Sequence, residues 1–315
     1  MDSLRGVAII LVISWHSAAI LNLLEYSAPQ WLITVNELFA PYRMPTLMFL
    51  SGMLLNRSLR KGLPRYLTGK IQRVLWPFAL WTLVHYAVFM APQYGVPVWN
   101  RNLWLTSYLW FLLYIFCYYV AAVLVQRVPA LILVVTPWAA SELFQDDTNG
   151  RRFLFLAGFF FLGRWVSENR ALFDRILASR LIWGLAPVAV AFSVIFAVLG
   201  PPRYHGVLAP LSVAGILLGV RVAQEVSRAR VMRAFEFVGR NSIVFYVTHF
   251  PLILGTVYAG TLLGAPVEGI IVAAFAVATG VGVLMSRLSE HPPVAWLFAA
   301  PPLPAALTRR RAPVV

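Results

Sequence analysis

About ten apolar runs recur along this chain of 315 residues, each near the roughly 20 residues that cross a bilayer core as a helix. They fall at 6–24, 38–56, 74–91, 104–125, 130–144, 153–166, 181–199, 207–222, 242–263 and 267–286, with those at 130–144 and 153–166 short. A backbone in hydrocarbon must satisfy its own polar groups, so long continuous runs of this kind predict helices. Composition agrees: 60% of residues are hydrophobic and 12% charged, about half the charged share of a soluble domain. A soluble enzyme, a disordered chain and a disulfide-built secreted scaffold are excluded. The predicted fold is all-α, a polytopic transmembrane helical bundle of about ten spans. Residues 1–290 are expected to form the bundle and 291–315 a short Pro-rich, Arg-containing tail, with Trp296 and Phe298 either interfacial or in disordered chain. No cleavable signal peptide is expected.

The net charge of +14 sits in the gaps between runs rather than across a domain surface, so no nucleic-acid partner is expected. With a cytoplasmic N-terminus, 21 cations fall inside, among them Arg164 and the Arg309–Arg311 cluster, and only Arg101, Arg151, Arg152 and Arg203 outside. That bias follows the positive-inside rule and predicts an even span count with both termini cytoplasmic. A single cysteine, Cys117, allows no intrachain disulfide and no cysteine metal cluster. No internal repeat of the kind that builds secondary transporters is evident.

Ionisable groups inside spans are costly and mark function by default. Arg5 and His16 are eleven residues apart, about 20° past three full turns, so they share one stripe of the first helix some 16 Å apart. A cation at the mouth and an imidazole at depth suit chemistry on an anionic donor, and Asp2 can pair with Arg5. The plainer alternative makes Arg5 a topology signal and His16 an interhelical hydrogen-bonder. Arg43, in Pro41-Tyr42-Arg43-Met44-Pro45, is expected at a proline-broken helix near the outer side, where it suits an anionic or hydroxyl-bearing ligand or snorkels to headgroups. Ser242, Phe245, Tyr246 and His249 share a helix face. A lone imidazole among aromatics, His249 fits packing better than base work, and so does His85; Glu142 reads as interfacial. The loop 56–73 carries Arg57, Arg60, Lys61, Arg65, Lys70 and Arg73 without an acid. It suits anionic lipid headgroups or a phosphorylated cofactor, with Lys70 and Arg73 best placed to reach a ligand. No phosphate loop, nucleophile elbow or paired metal ligands occur, and neither His205 nor His291 points to a metal site.

Asp2-Ser3-Leu4-Arg5-Gly6-Val7-Ala8 followed by His16 resembles the opening of the acyltransferase-3 family of integral-membrane O-acyltransferases. Arg43-Met44-Pro45 through Phe49-Leu50-Ser51-Gly52 resembles its second span, Trp104 and Leu109-Trp110-Phe111-Leu112 its fourth, and Gly239-Arg240-Asn241-Ser242 through Tyr246 and His249 a late helix. The resemblance implies transfer of an acyl group, commonly acetyl, from cytoplasmic acyl-CoA to a hydroxyl of a carbohydrate, surface glycan, glycolipid or glycosylated metabolite. It implies a bacterial inner-membrane enzyme with no permanently bound cofactor and no metal. Arg5 and His16 carry over as the essential catalytic pair, with His16 a general base or an acyl-carrying nucleophile. Arg5, Lys70 and Arg73 are then expected at the donor phosphates, and Arg43, Ser51 and His249 at the acceptor. Lys70 stands where the family usually has arginine, keeping the charge without the fork, and Met53 where an aromatic is common. Relatives often have several residues before the aspartate, and some carry a C-terminal esterase-like domain. A transporter or flippase, and a non-catalytic component of glycan assembly, remain the alternatives.

Overall fold

A computed structural model describes residues 1–90, 107–144, 148–200 and 203–301. All regular structure among them is helical. Besides short turns and the small helices Leu55–Leu59, Arg170–Ala178 and Pro292–Ala295, it comprises α1 Asp2–Ala19, α2 Gln30–Leu38, α3 Ala40–Gly52, α4 Leu63–Met90, α5 Trp110–Leu124, α6 Ala130–Ser141, α7 Thr148–Glu168, α8 Leu185–Leu199, α9 Ala209–Glu225, α10 Arg230–Arg240, α11 Ser242–Leu262 and α12 Val267–Leu288. Arg101, Trp104 and Arg309–Arg311 lie outside the described residues.

Six helices among the described residues are long and apolar enough to cross a membrane: Asp2–Leu24, Leu63–Met90, Arg180–Leu199, Gly206–Arg228, Ser242–Leu262 and Val267–Leu288. The other predicted runs form shorter or more charged helices. α3 has 13 residues, α5 15 and α6 12. α7 is longer than the run at 153–166 predicts, 21 residues, because the helix continues through Arg151 and Arg152 at one end and ends on Glu168 at the other. The prolines do not break the chain at Arg43. The break falls at Phe39, between α2 and α3; Pro41 sits in the first turn of α3, where a missing N–H costs nothing, and Pro45 lies inside the helix.

α1 is the hub, packed against α3, α10, α11 and α12. Two glycine crossings bring backbones into contact. A Cβ on Gly6 of α1 would strike the Phe235 carbonyl of α10, and one on Gly239 would strike the Asp2 carbonyl. Likewise Gly52 of α3 abuts the Phe160 carbonyl of α7, and Gly163 abuts that of Phe49. Small residues permit this approach where lipid gives no hydrophobic drive between helices. α4 contains two π-helical turns, Ile71–Leu75 and Tyr86–Met90. The start of the tail packs on it: Trp76 Nε1 donates to the Trp296 carbonyl (2.8 Å), Trp81 Nε1 donates to that of Leu297 (2.9 Å), and the Ala300 amide donates to that of Gln72.

Candidate active site

α1 carries its two candidate residues to opposite ends of the bundle. At the proximal end, where α1 begins, Arg5 pairs with Asp2 (Nη1–Oδ1 3.4 Å). Lys70, in the last turn before the first π-helical turn of α4, lies 3.4 Å from the centre of the Tyr119 ring and 5.4 Å from that of Tyr66. Tyr66 donates to the Tyr119 carbonyl (2.8 Å), and Arg5 is an electrostatic neighbour of Tyr119. Arg5 and Lys70 therefore converge on one aromatic shelf, with Arg73 in the adjoining π-turn. Ser51 belongs here too: its carbonyl accepts from the Tyr119 hydroxyl (3.4 Å) while its own hydroxyl donates back to Leu47 (2.7 Å). The structure thus sets Ser51 apart from Arg43, with which it was grouped.

At the distal end a cavity of about 240 Å³ opens beside the last turns of α1. His16, Trp15, Arg43, Tyr108, Arg152 and Arg203 are in its wall. The segments assigned from charge to the outer side thus meet around one space. His16 Nδ1 donates to the Val12 carbonyl one turn back (2.9 Å). A carbonyl can only accept, so Nδ1 holds the proton and the Nε2 lone pair is available for chemistry. The same device recurs on α11, where buried His249 donates from Nδ1 to the Tyr246 carbonyl (2.6 Å) and leaves Nε2 without a hydrogen-bond partner. The two imidazoles meet edge to face, their centroids 4.9 Å apart. His249 is thus a packing and hydrogen-bonding residue among Tyr108, Tyr246 and His16, set behind the cavity wall rather than in it.

Aromatic rings hold this pair in place. Phe250 stacks on Tyr108 (4.7 Å), and both approach His85, at 5.6 and 5.3 Å. Tyr108 donates to the Val247 carbonyl and Tyr246 donates back to that of Tyr108, tying the segment before α5 to α11. Arg43 is buried in the first turn of α3, donates to the Leu11 carbonyl (3.2 Å) and lies over the Trp15 ring (5.1 Å). Arg152 lies over Trp110 at 4.0 Å. Tyr108, Trp15 and Arg152 were not foreseen as site residues; Arg152 looked like an ordinary loop cation.

Glu142 is not merely interfacial. His205 donates from Nδ1 to its Oε2 (2.8 Å) and the Val207 amide to its Oε1 (3.2 Å), while Arg151 bonds His205 Nε2 (3.0 Å). Burial opposes ionisation of Glu142, but these hydrogen bonds outweigh it and hold the carboxyl below the usual carboxylate range. The triad braces the cavity rim, since His205 lines the cavity. Among the described residues no group of three His, Cys, Asp or Glu side chains could hold a metal ion.

The family model described as an acyltransferase domain, acyltransferase-3, matches residues 1–287. The chain belongs to that family. No curated protein and no solved structure matches it. Family membership and the long apolar helices make it a multi-pass membrane acyltransferase.

Proposed function

We propose that this family member is an O-acyltransferase moving an acyl group, acetyl in the first instance, from cytoplasmic acyl-CoA to a hydroxyl of a carbohydrate or glycolipid acceptor. The observation that carries the reading is His16: its proton is fixed on Nδ1 and its Nε2 is free, on a helix that joins a proximal cation shelf to a distal cavity. The proximal end is then cytoplasmic, both termini lie there, and the protein spans a bacterial inner membrane. Arg5, Lys70 and Arg73 take the donor phosphates by charge, and the pantetheine arm extends along α1 toward His16. The acceptor enters from the distal cavity, where Arg43 and the neighbouring rings orient it. Residues 1–290 form the catalytic unit, and the tail contributes packing against α4.

His16 Nε2 takes the proton of the acceptor hydroxyl as its oxygen attacks the thioester carbonyl carbon. The carbon–sulfur bond then breaks, and the proton passes from His16 to the departing CoA thiolate. An imidazole whose ordinary pKa is near 6.5 suits both transfers. The test is acyl transfer from acetyl-CoA by the protein in lipid nanodiscs, read as free CoA released and one acetyl mass gained by glycan or glycolipid extracts. His16→Ala is expected to lower the rate by about 10²–10⁴-fold while inserting normally. An inserted, folded His16→Ala protein that acylates at the native rate overturns the reading. An acylated His16 trapped by rapid quenching would replace direct transfer with a two-step route.

A further inference from the structure

We infer that the acceptor is anionic, carrying a carboxylate or a phosphate that seats between Arg43 and Arg152 in the distal cavity. The inference rests on the acyltransferase reading and adds the substrate's charge class.

Three guanidiniums line the cavity, and no described lining residue is an acid. Their partners divide them. Arg203 is neutralised by Glu37 at 2.6 Å. Arg152 has only neutral partners among the described residues: the Asn149 side-chain carbonyl (2.7 Å), the Tyr114 hydroxyl (3.4 Å) and the faces of Trp110 and Tyr114. Its Nε is buried and makes no hydrogen bond. Arg43, 6% exposed, likewise meets a main-chain carbonyl and an indole face, with no carboxylate in contact. Glu37, the carboxylate nearest in charge to Arg43, is already engaged by Arg203. Among the described residues, two cations thus face one small space with no carboxylate bonded to either, an arrangement that an anion joining them would relieve.

Topology alone does not account for Arg152. A cation that only orients a loop extends into water or headgroups. Arg152 folds back onto Trp110 and into the cavity wall. Guanidiniums bind carboxylate and phosphate oxygens through paired N–H donors. Trp15, under Arg43 and Arg203, and Trp110, under Arg152, hold the guanidinium planes at the cavity wall. His16 is in the same wall, so a hydroxyl on the molecule that bears the anion falls within reach of Nε2.

The test measures binding to the protein in nanodiscs of methyl glucoside, methyl glucuronoside and glucose 1-phosphate, by calorimetry in phosphate-free buffer. At least one anionic sugar is expected to bind at least tenfold tighter than the neutral one, and the stronger of the two identifies carboxylate or phosphate. Arg152→Gln and Arg43→Gln are each expected to erase that preference, and Arg152→Lys to restore part of it. Equal binding of all three sugars, no binding of either anion, or an unchanged preference in a folded Arg152→Gln protein overturns the inference. Acetyl transfer from acetyl-CoA is followed in parallel. Transfer without anion preference defeats the inference alone; anion binding without CoA release at any acceptor defeats the catalytic reading instead.

Discussion

One helix, α7, carries two arginines whose surroundings could hardly differ more. Arg164, near its proximal end, is tied in on every side: Nε meets Glu168 at 2.7 Å, and the terminal nitrogens donate to the carbonyls of Val125, Gln126 and Val128 just after α5. Arg152, twelve residues earlier at the distal end, keeps only neutral partners among the described residues and an unbonded Nε. Both were counted as loop cations of opposite sides. The contrast separates charge that holds the bundle together from charge left free to meet something else. Arg164 spends four of its five N–H donors on the protein, whereas Arg152 spends two.

The sharpest way to break this comparison is to remove each arginine and measure thermal unfolding in detergent. Arg164→Leu is expected to cost on the order of 3 kcal/mol, because it removes the ionic hydrogen bond to Glu168 and the three carbonyl bonds that tie α7 to the chain after α5. Arg152→Leu should stay within about 1 kcal/mol of the parent, since it removes a charge with no ionic partner among the described residues. If the two proteins melt together, the division of labour is wrong. Glu168→Gln refines it, with an expected loss of about 1 kcal/mol from converting one ionic hydrogen bond of Arg164 to a neutral one. The smallest effect lies at the cavity rim. The carboxyl of Glu142 is held below its ordinary range, so its contribution is present above the unfolded carboxylate value and is lost as pH falls through the folded one. Glu142→Gln should therefore lose less than about 1 kcal/mol at pH 7, given a part-exposed pair, and the gap to the parent should narrow as pH falls through the lowered carboxyl value. Melting curves across that pH range check it; a constant offset between the two proteins would remove Glu142 from the account.

The sequence made the helical bundle legible because apolar runs of this length leave a membrane chain no other local structure. It also made the Arg5–His16 stripe legible, since both residues ride one regular helix and their relation needs only its pitch. The shared face of Tyr246 and His249 followed from the same arithmetic. What could not be seen was any relation between helices. That His249 meets His16 depends on α11 crossing α1, and that Lys70 rests on Tyr119 depends on α5 lying beside α4. Arg152 and Arg164 look alike as letters because a loop cation declares its charge but not its partners. The position of α3 was misjudged for a different reason: Pro41 and Pro45 suggested a break around Arg43, yet a proline in the first turn starts a helix as readily as it ends one. Ser51, near the end of the same helix, lies eight residues from Arg43 and bonds the Tyr119 hydroxyl instead of lining the cavity.

The crossing of Gly6 and Gly239 has a bearing on how precisely this machine must be built. Main chain touches main chain there, so the register of α1 against α10 is set by carbonyl and amide positions, which no rotamer change can adjust. α10 runs directly into α11 through Asn241, and α11 delivers His249 to His16. A methyl group added at residue 239 would act as a wedge, and helices behave as levers: its thickness would be felt ten residues further on, where the two imidazoles face each other. The approach of the two imidazoles is thus machined at a backbone contact ten residues away from them.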